Sequence, residues 1–371
     1  MLILDVRPYH RGRMQHYWKR LFAGFTLALG LYILYLIVVE NQAQLAGEGM
    51  VAALGQFDGR IIPLLIGSQL LVVLCRFIEW QYYMGIVGVA ERLSAKDSAI
   101  IFIACFMMVV SPGKAGELLK AVFVQTRTGV SAARVAPAVL AERVVDGLAA
   151  MLLMAGALLL AGDSLRLASV NGTDYNAIAR GLIFSSTLAI AGGLIVVQIR
   201  VLAEFFLRVL GRMPLVSRLA PVARTFYESS REVFQPRHIV RVIWPGIGVF
   251  LASTLCFVLV LGGFGVPMTR EVFLQAAFMV GVTSAVGALS FIPNGAGVTE
   301  ATNTVLILAL LSPQYAFMTP ALAAAASLIQ GFFHKWFRVL LGIGVALVYR
   351  DRLFSAEVEQ TMAQAETDHA A

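Results

Sequence analysis

Glu142, Arg143 and Asp146 stand close together inside a long apolar stretch, AVLAERVVDGLAAMLLMAGALLLA. On a helix Arg143 and Asp146 fall at i, i+3 and Glu142 and Asp146 at i, i+4, so the three form one polar stripe. A second stripe runs through Gln330, His334 and Arg338 at successive i+4 steps, beside Lys335. Arg76 and Glu79 lie three apart and read as a pair on one helix face, either locking two helices or serving a site. Ionisable groups inside a membrane are costly, and they face a cavity or a partner. Guanidinium and ammonium groups in such a place suit a phosphate, and carboxylates suit an amine or a coupling proton. For Lys335 and Arg338, snorkelling toward the membrane surface is the competing reading.

Two further clusters interrupt apolar runs. SPGKAGELLKA, from Ser111 to Ala121, follows DSAIIFIACFMMVV, and FIPNGAGVTEA, from Phe291 to Ala301, follows another apolar run. Irregular backbone at membrane depth is tolerated only beside protein or a water-filled cavity. Pro112 and Pro293 end half-helices, Gly113, Gly116, Gly295 and Gly297 allow tight turns, and new helices start near Glu117 and Glu300. Amide groups at such a start favour an anion. A wet surface loop between short helices is the alternative for Lys114, Glu117 and Lys120.

The elements that must position these residues follow from composition. Hydrophobic residues make up 59% of the 371-residue chain and charged residues 14%, against about 25% charged in soluble domains. Several apolar runs reach the ~20 residues that span a bilayer core. The chain therefore reads as an all-α polytopic membrane protein, with about six full transmembrane helices and two broken or re-entrant helical hairpins. The full helices are expected near 20–40, 62–89, 131–161, 177–199, 239–264 and 320–348, and the broken regions near 97–126 and 271–311. Each broken region either re-enters or crosses twice. An amphipathic surface segment is expected near 200–238, inside one membrane domain covering 1–349, and a polar tail over 350–371.

The net charge of +7 is explained by topology rather than nucleic acid. With the N-terminus in the cytoplasm, basic residues from Arg7 to Arg20, from Arg200 to Arg241, and at Arg350 and Arg352 share that side. The opposite side keeps Arg60, Arg166, Arg180 and Arg270. Both termini are then cytoplasmic in a bacterial inner membrane. Units 62–161 and 239–348 start from opposite sides and carry the same order of elements, which suggests an inverted-topology repeat with its site where the breaks meet.

Nucleotide-binding loops, dinucleotide-binding turns, zinc-protease helices and nucleophile elbows are all missing from the sequence. Five histidines, with His334 alone well inside a span, and Cys75, Cys105 and Cys256 in apolar runs make no metal set or disulfide framework. No enzyme activity, cofactor or metal is expected.

SPGKAGELLKA, the AERVVDG of Ala141–Gly147 and IPNGAGVTE together resemble the lysylphosphatidylglycerol synthase transmembrane family, also described as flippase-like, over roughly 15–350. The resemblance implies a stand-alone membrane module without the soluble synthase domain. It implies movement of a phospholipid, an aminoacyl-phospholipid or another envelope lipid such as a hopanoid between leaflets, with lipid-synthesising enzymes as partners. Carried over on matching positions, the family's residues are Pro112, Gly116, Glu117, Glu142, Arg143, Asp146, Pro293, Gly295, Gly297 and Glu300. Lys114, Lys120, Asn294, His334 and Arg338 complete the expected substrate site. The alternative is an integral membrane enzyme, or an accessory scaffold, in envelope lipid modification.

Overall fold

The computed structural model describes residues 49–110, 117–161, 220–290 and 292–353, with isolated positions between 26 and 41, at 165 and between 181 and 198. Outside the described residues lie most of the helices expected near 20–40 and 177–199, the surface segment up to 219, and the tail beyond 353. Pro112, Gly113, Lys114 and Gly116 of the first break also lie outside them.

Every regular element among the described residues is helical. In order these are α1 (Met50–Gly55), α2 (Ile62–Ile86), α3 (Ala95–Ala104), α4 (Leu119–Thr128), α5 (Ala132–Ala161), α6 (Ala220–Val233), α7 (Pro236–Gly263), α8 (Arg270–Leu289), α9 (Val298–Leu310), α10 (Pro320–Gly331), α11 (Phe337–Val348) and α12 (Arg350–Leu353). A π-helical turn, Phe332–Trp336, joins α10 to α11 into one span over 320–348. The starts are set by short polar caps. Ser94 accepts from Asp97 N, Thr269 from Val272 N and Thr319 from Leu322 N, each satisfying an amide that the helix leaves open. Pro63, Pro236 and Pro320 occupy first-turn positions, where a missing N–H costs nothing.

Among the described residues five helices are long and apolar enough to cross a membrane: Gly59–Ile86, Ala132–Ala161, Pro236–Gly263, Arg270–Leu289 and Pro320–Val348. Four match expected full spans. The fifth, α8, is the first arm of the second broken region, and its length is the one that a doubly crossing break requires. At 20 residues it extends about 30 Å at ~1.5 Å per residue. The corresponding arm in the first half is the 10-residue α3, continued by a tight 3-10 turn over Cys105–Val110. The residue before a proline is disfavoured in α conformation, and Pro112 follows that turn closely. In α8 no breaker intervenes before Ser290 and Pro293.

The surface is that of a protein in lipid. Leu64, Leu71, Leu74 and Ile78 form an exposed apolar strip on α2, where water would leave a large patch uncovered. In α7, 72% of the most apolar window is buried, against 33% in α2, α5 and 320–348. It is the central helix.

Packing is reciprocal between the two halves. α2 packs along α7, α5 packs against α8, and α11 packs against α3 and the 3-10 turn that follows it. α4 packs on α5 as α9 packs on α10, and α3 meets α4 as α8 meets α9. The turn Cys105–Val110 touches Pro293–Gly295, so the two breaks meet at their described ends. α6, the described part of the amphipathic segment, docks on α5 through Ser229 Oγ, which donates to the Arg134 carbonyl, and through an Arg134–Glu232 ion pair of 2.8 Å.

Candidate functional site

A cavity of about 500 Å³ opens between the two halves, within the usual range for sites that hold small molecules. Its walls come from α2, α4, α5, α7 to α11, the π-turn and both breaks. Asp146 lies 14 residues into the 30-residue α5, roughly 21 Å from its start by helix rise. Lys335 lies at a similar depth in 320–348. The polar groups are thus mid-span.

On the first-half side the charges form one connected network. Arg143 Nη1 is 2.8 Å from Asp146, its Nε is 3.2 Å from Glu117 Oε2, and its Nη2 is 3.7 Å from Glu142 Oε2. Lys120 Nζ donates to Glu142 at 3.0 Å with both side chains 3% exposed. The same ammonium lies 5.3 Å from the Trp80 ring centre and 4.9 Å from that of Phe102, an arrangement that stabilises a desolvated cation. Arg76 corrects its expected pairing. Its Nη1 donates to both oxygens of Asp146, at 2.9 and 3.0 Å, and not to Glu79. Asp146 projects from α5 into the space beside α2, within hydrogen-bond reach of that guanidinium.

The second half builds its own pair from the break upward. Asn294, Gly295 and Gly297 all adopt positive φ, of 54°, 61° and 80°, which an asparagine or a glycine tolerates at low cost. That turn aims the start of α9 at the cavity. Gly297 N–H donates to Glu300 Oε2 at 2.9 Å, and Glu300 pairs with Lys335. Lys335 also donates to Thr299 Oγ1, which in turn donates to the Gly295 carbonyl at 2.9 Å. Lys335 is buried, so it does not reach the surface as a snorkelling side chain. The π-turn carries His334 and Lys335, and such bulges shift side chains out of α-helical register.

Arg338 differs from the other cations. Its Nε and Nη2 both donate to the His334 carbonyl one turn back, and no carboxylate is paired with it among the described residues. Asn294 also offers a buried amide nitrogen without a hydrogen-bond partner at the cavity wall.

The structure therefore gathers Glu117, Lys120, Arg143, Asp146, Asn294, Gly295, His334 and Arg338 around the cavity. Glu142 and Glu300 stand behind its walls, bonded to Lys120 and Lys335 that line it, and Gly297 stands behind Glu300. Arg76, Lys335, Thr299 and Asn303 line it without having been assigned to the substrate site from sequence. For Lys335 the signal was present, because a mid-span lysine demands a carboxylate.

The sequence profile of the family described as "Lysylphosphatidylglycerol synthase TM region" matches residues 22–342. No curated protein matches the chain.

Proposed function

The chain belongs to the lysylphosphatidylglycerol synthase TM-region family, and from that premise we propose that it carries an anionic, polar-headed lipid between the leaflets of a bacterial inner membrane. It does so without hydrolysing a nucleotide, and with both termini in the cytoplasm. The observation that carries this reading is the charge lining of the mid-span cavity. Five cations, Arg76, Lys120, Arg143, Lys335 and Arg338, face two carboxylates, Glu117 and Asp146. Four of the cations have acidic partners in or behind the wall. Arg338 has none among the described residues, and a head-group phosphate supplies the missing anion.

Lys120 and Arg143 are already neutralised, which moves the main anion contact to Arg338, with the free Asn294 amide as a second donor. The acyl chains stay outside, where Leu64, Leu71 and Leu74 show that the protein surface is built for lipid. Both lining carboxylates are held by arginines, an arrangement that favours a binding site over one that does acid–base chemistry on a head group. The inverted-topology repeat is part of the same proposal. Reciprocal packing of the halves supports it, since exchange of two such packings is how rocking transporters open alternately.

The test is reconstitution in liposomes with fluorescent lipids that carry or lack a phosphate, read by leaflet-specific quenching. Faster exchange of the phosphate-bearing lipids alone is expected. Equal acceleration of both removes the anion preference, and acceleration of neither removes transport.

A further inference from the structure

Glu79 on α2 is 0% exposed, and neither of its carboxylate oxygens has a hydrogen-bond partner. Every other described carboxylate at this depth is engaged. Glu117 pairs with Arg143, Glu142 with Lys120, Asp146 with Arg76 and Arg143, and Glu300 with Lys335. Glu79 does not line the cavity, but its neighbour one turn back, Arg76, does.

Its surroundings can be taken helix by helix. From α2 itself come Arg76, Cys75 and Tyr83, whose buried hydroxyl also lacks a hydrogen-bond partner. From α5 come Glu142, Arg143 and Asp146, which interact electrostatically with Glu79. α7 brings Gly246 against Glu79 Oε1, so close that a Cβ there would lie 3.1 Å from it. The ionisable groups of α7 are turned to other partners: His238 is bound to Tyr82 at 2.8 Å, Arg237 to His238 at 3.2 Å and Arg241 to Tyr82 at 3.4 Å. α4 sends Lys120, already held by Glu142, α3 offers the neutral Ser98 to Trp80, and Arg338 on α11 interacts with Arg76 and Asp146. Among the described residues no free cation reaches the Glu79 carboxylate.

An ionised carboxylate taken out of water without a hydrogen bond is so costly that such a group neutralises instead. We infer that Glu79 is a proton-binding site, protonated while Arg76 is bonded to Asp146, and releasing its proton to water when Arg76 swings to the Glu79 carboxylate on its own helix. The two carboxylates compete for one guanidinium, and Asp146 can give it up because Arg143 remains 2.8 Å away. The proton leaves a carboxylic acid as its O–H bond breaks, and the resulting anion is neutralised by Arg76. Arg76 lines the cavity, so each protonation state fixes a different cavity wall. A transmembrane proton gradient then biases lipid movement, a consequence that rests on the transport reading; the protonation of Glu79 does not.

Infrared difference spectroscopy of the purified chain tests the protonation. The wild type should show the carbonyl band of a protonated carboxylic acid, and Glu79→Gln should lack it. Absence of that band in the wild type, or its persistence in Glu79→Gln, overturns the proposal whatever the protein transports. Gln is isosteric with the neutral acid, so Glu79→Gln should melt where the wild type does in detergent. A large loss of thermal stability would mean an ionised, structurally paired Glu79 and also overturn it. In liposomes, an imposed pH gradient should accelerate wild-type lipid movement and leave Glu79→Gln unresponsive. A variant that follows the gradient as the wild type does, or a wild type that moves lipid and ignores the gradient, ends the coupling role.

Discussion

Arg143 Nε lies 3.2 Å from Glu117 Oε2, joining the glutamate that follows the first break to the long helix that closes the first half. The second half repeats the relationship. Glu300 follows the second break, and its partner Lys335 stands on the span that closes that half. In each case a short helix begins at the break, and its acidic residue is anchored to a cation about half-way along a full-length helix. Such a link holds an irregular turn at a fixed depth, where backbone alone would have no partner in lipid.

Arg143→Gln should be strongly destabilising. The guanidinium touches Glu117, Glu142 and Asp146, so its loss takes away the one cation that these three carboxylates share among the ion pairs of the described residues. Removing one member of a buried pair costs about 3–5 kcal/mol. Glu117→Gln in the same chain should restore part of that loss, because it removes one of three carboxylates that crowd together once the guanidinium is gone. Thermal unfolding of both single variants and the double variant closes the cycle. Additive losses would show that the pair is not energetically coupled.

A pair of glycine substitutions separates the reciprocal anchor from helix propensity. A Cβ at Gly331 would collide with the Glu300 carboxylate, whose Cδ would lie 3.1 Å away. A Cβ at Gly344 meets nothing within 4 Å. Alanine gains about 1 kcal/mol over glycine in a helix interior, while overpacking costs about 1–3 kcal/mol and here also displaces an ion pair. Gly344→Ala should therefore raise the melting temperature and Gly331→Ala lower it. Equal shifts in the same direction would show that Glu300 tolerates displacement.

Much of this was legible in the sequence, for reasons that differ by element. The spans over 62–86, 132–161, 236–263 and 320–348 follow from long runs that are apolar apart from a few charges, a signal that the bilayer makes strong. The Arg143–Asp146 contact is a local i, i+3 relation and could be read directly. The partner of Arg76 could not, because Asp146 is 70 residues away and only the α2–α5 packing brings it near. Spacing alone favoured Glu79. The unequal breaks were hidden for a related reason: both motifs look alike, but α8 is a full helix where α3 tightens into a 3-10 turn. Lys335 was ambiguous because a long basic side chain beyond the midpoint of a span is compatible with snorkelling. Its burial depends on a π-turn that no residue pattern announces.

Arg338→Gln should leave the fold nearly unchanged, since this side chain is bonded to a backbone carbonyl of its own helix and to no carboxylate. If it is the main contact to a head-group anion, the substitution removes charge-assisted hydrogen bonds worth about 1.5–3 kcal/mol. That corresponds to a roughly ten- to hundredfold weaker affinity. Binding of phosphate-bearing lipid, measured by the thermal shift it produces in detergent, should fall accordingly, while the melting temperature without lipid stays put. Unchanged lipid binding would move the anion contact to another cation in the wall.

The last prediction concerns which side of the membrane the turns face. α4 ends at Thr128, beside Arg127, and Gly129 closes it with φ of 72°. α9 ends at Leu310, and the chain turns through Ser312 before Thr319 caps α10. These turns occupy equivalent places in the reciprocal packing of the two halves. An inverted repeat therefore puts them on opposite sides, with Arg127 in the cytoplasm by the excess of basic residues there. A repeat related by an axis along the membrane normal would put them on the same side. Single cysteines at Arg127 and Ser312, introduced into a chain whose Cys75, Cys105 and Cys256 are replaced by alanine, can be labelled with an impermeant maleimide in intact cells. Ser312→Cys should react from outside, and Arg127→Cys should react only after the membrane is opened. Labelling of both from the same side would exclude the inverted arrangement, and with it the rocking exchange of halves that the proposed lipid movement uses.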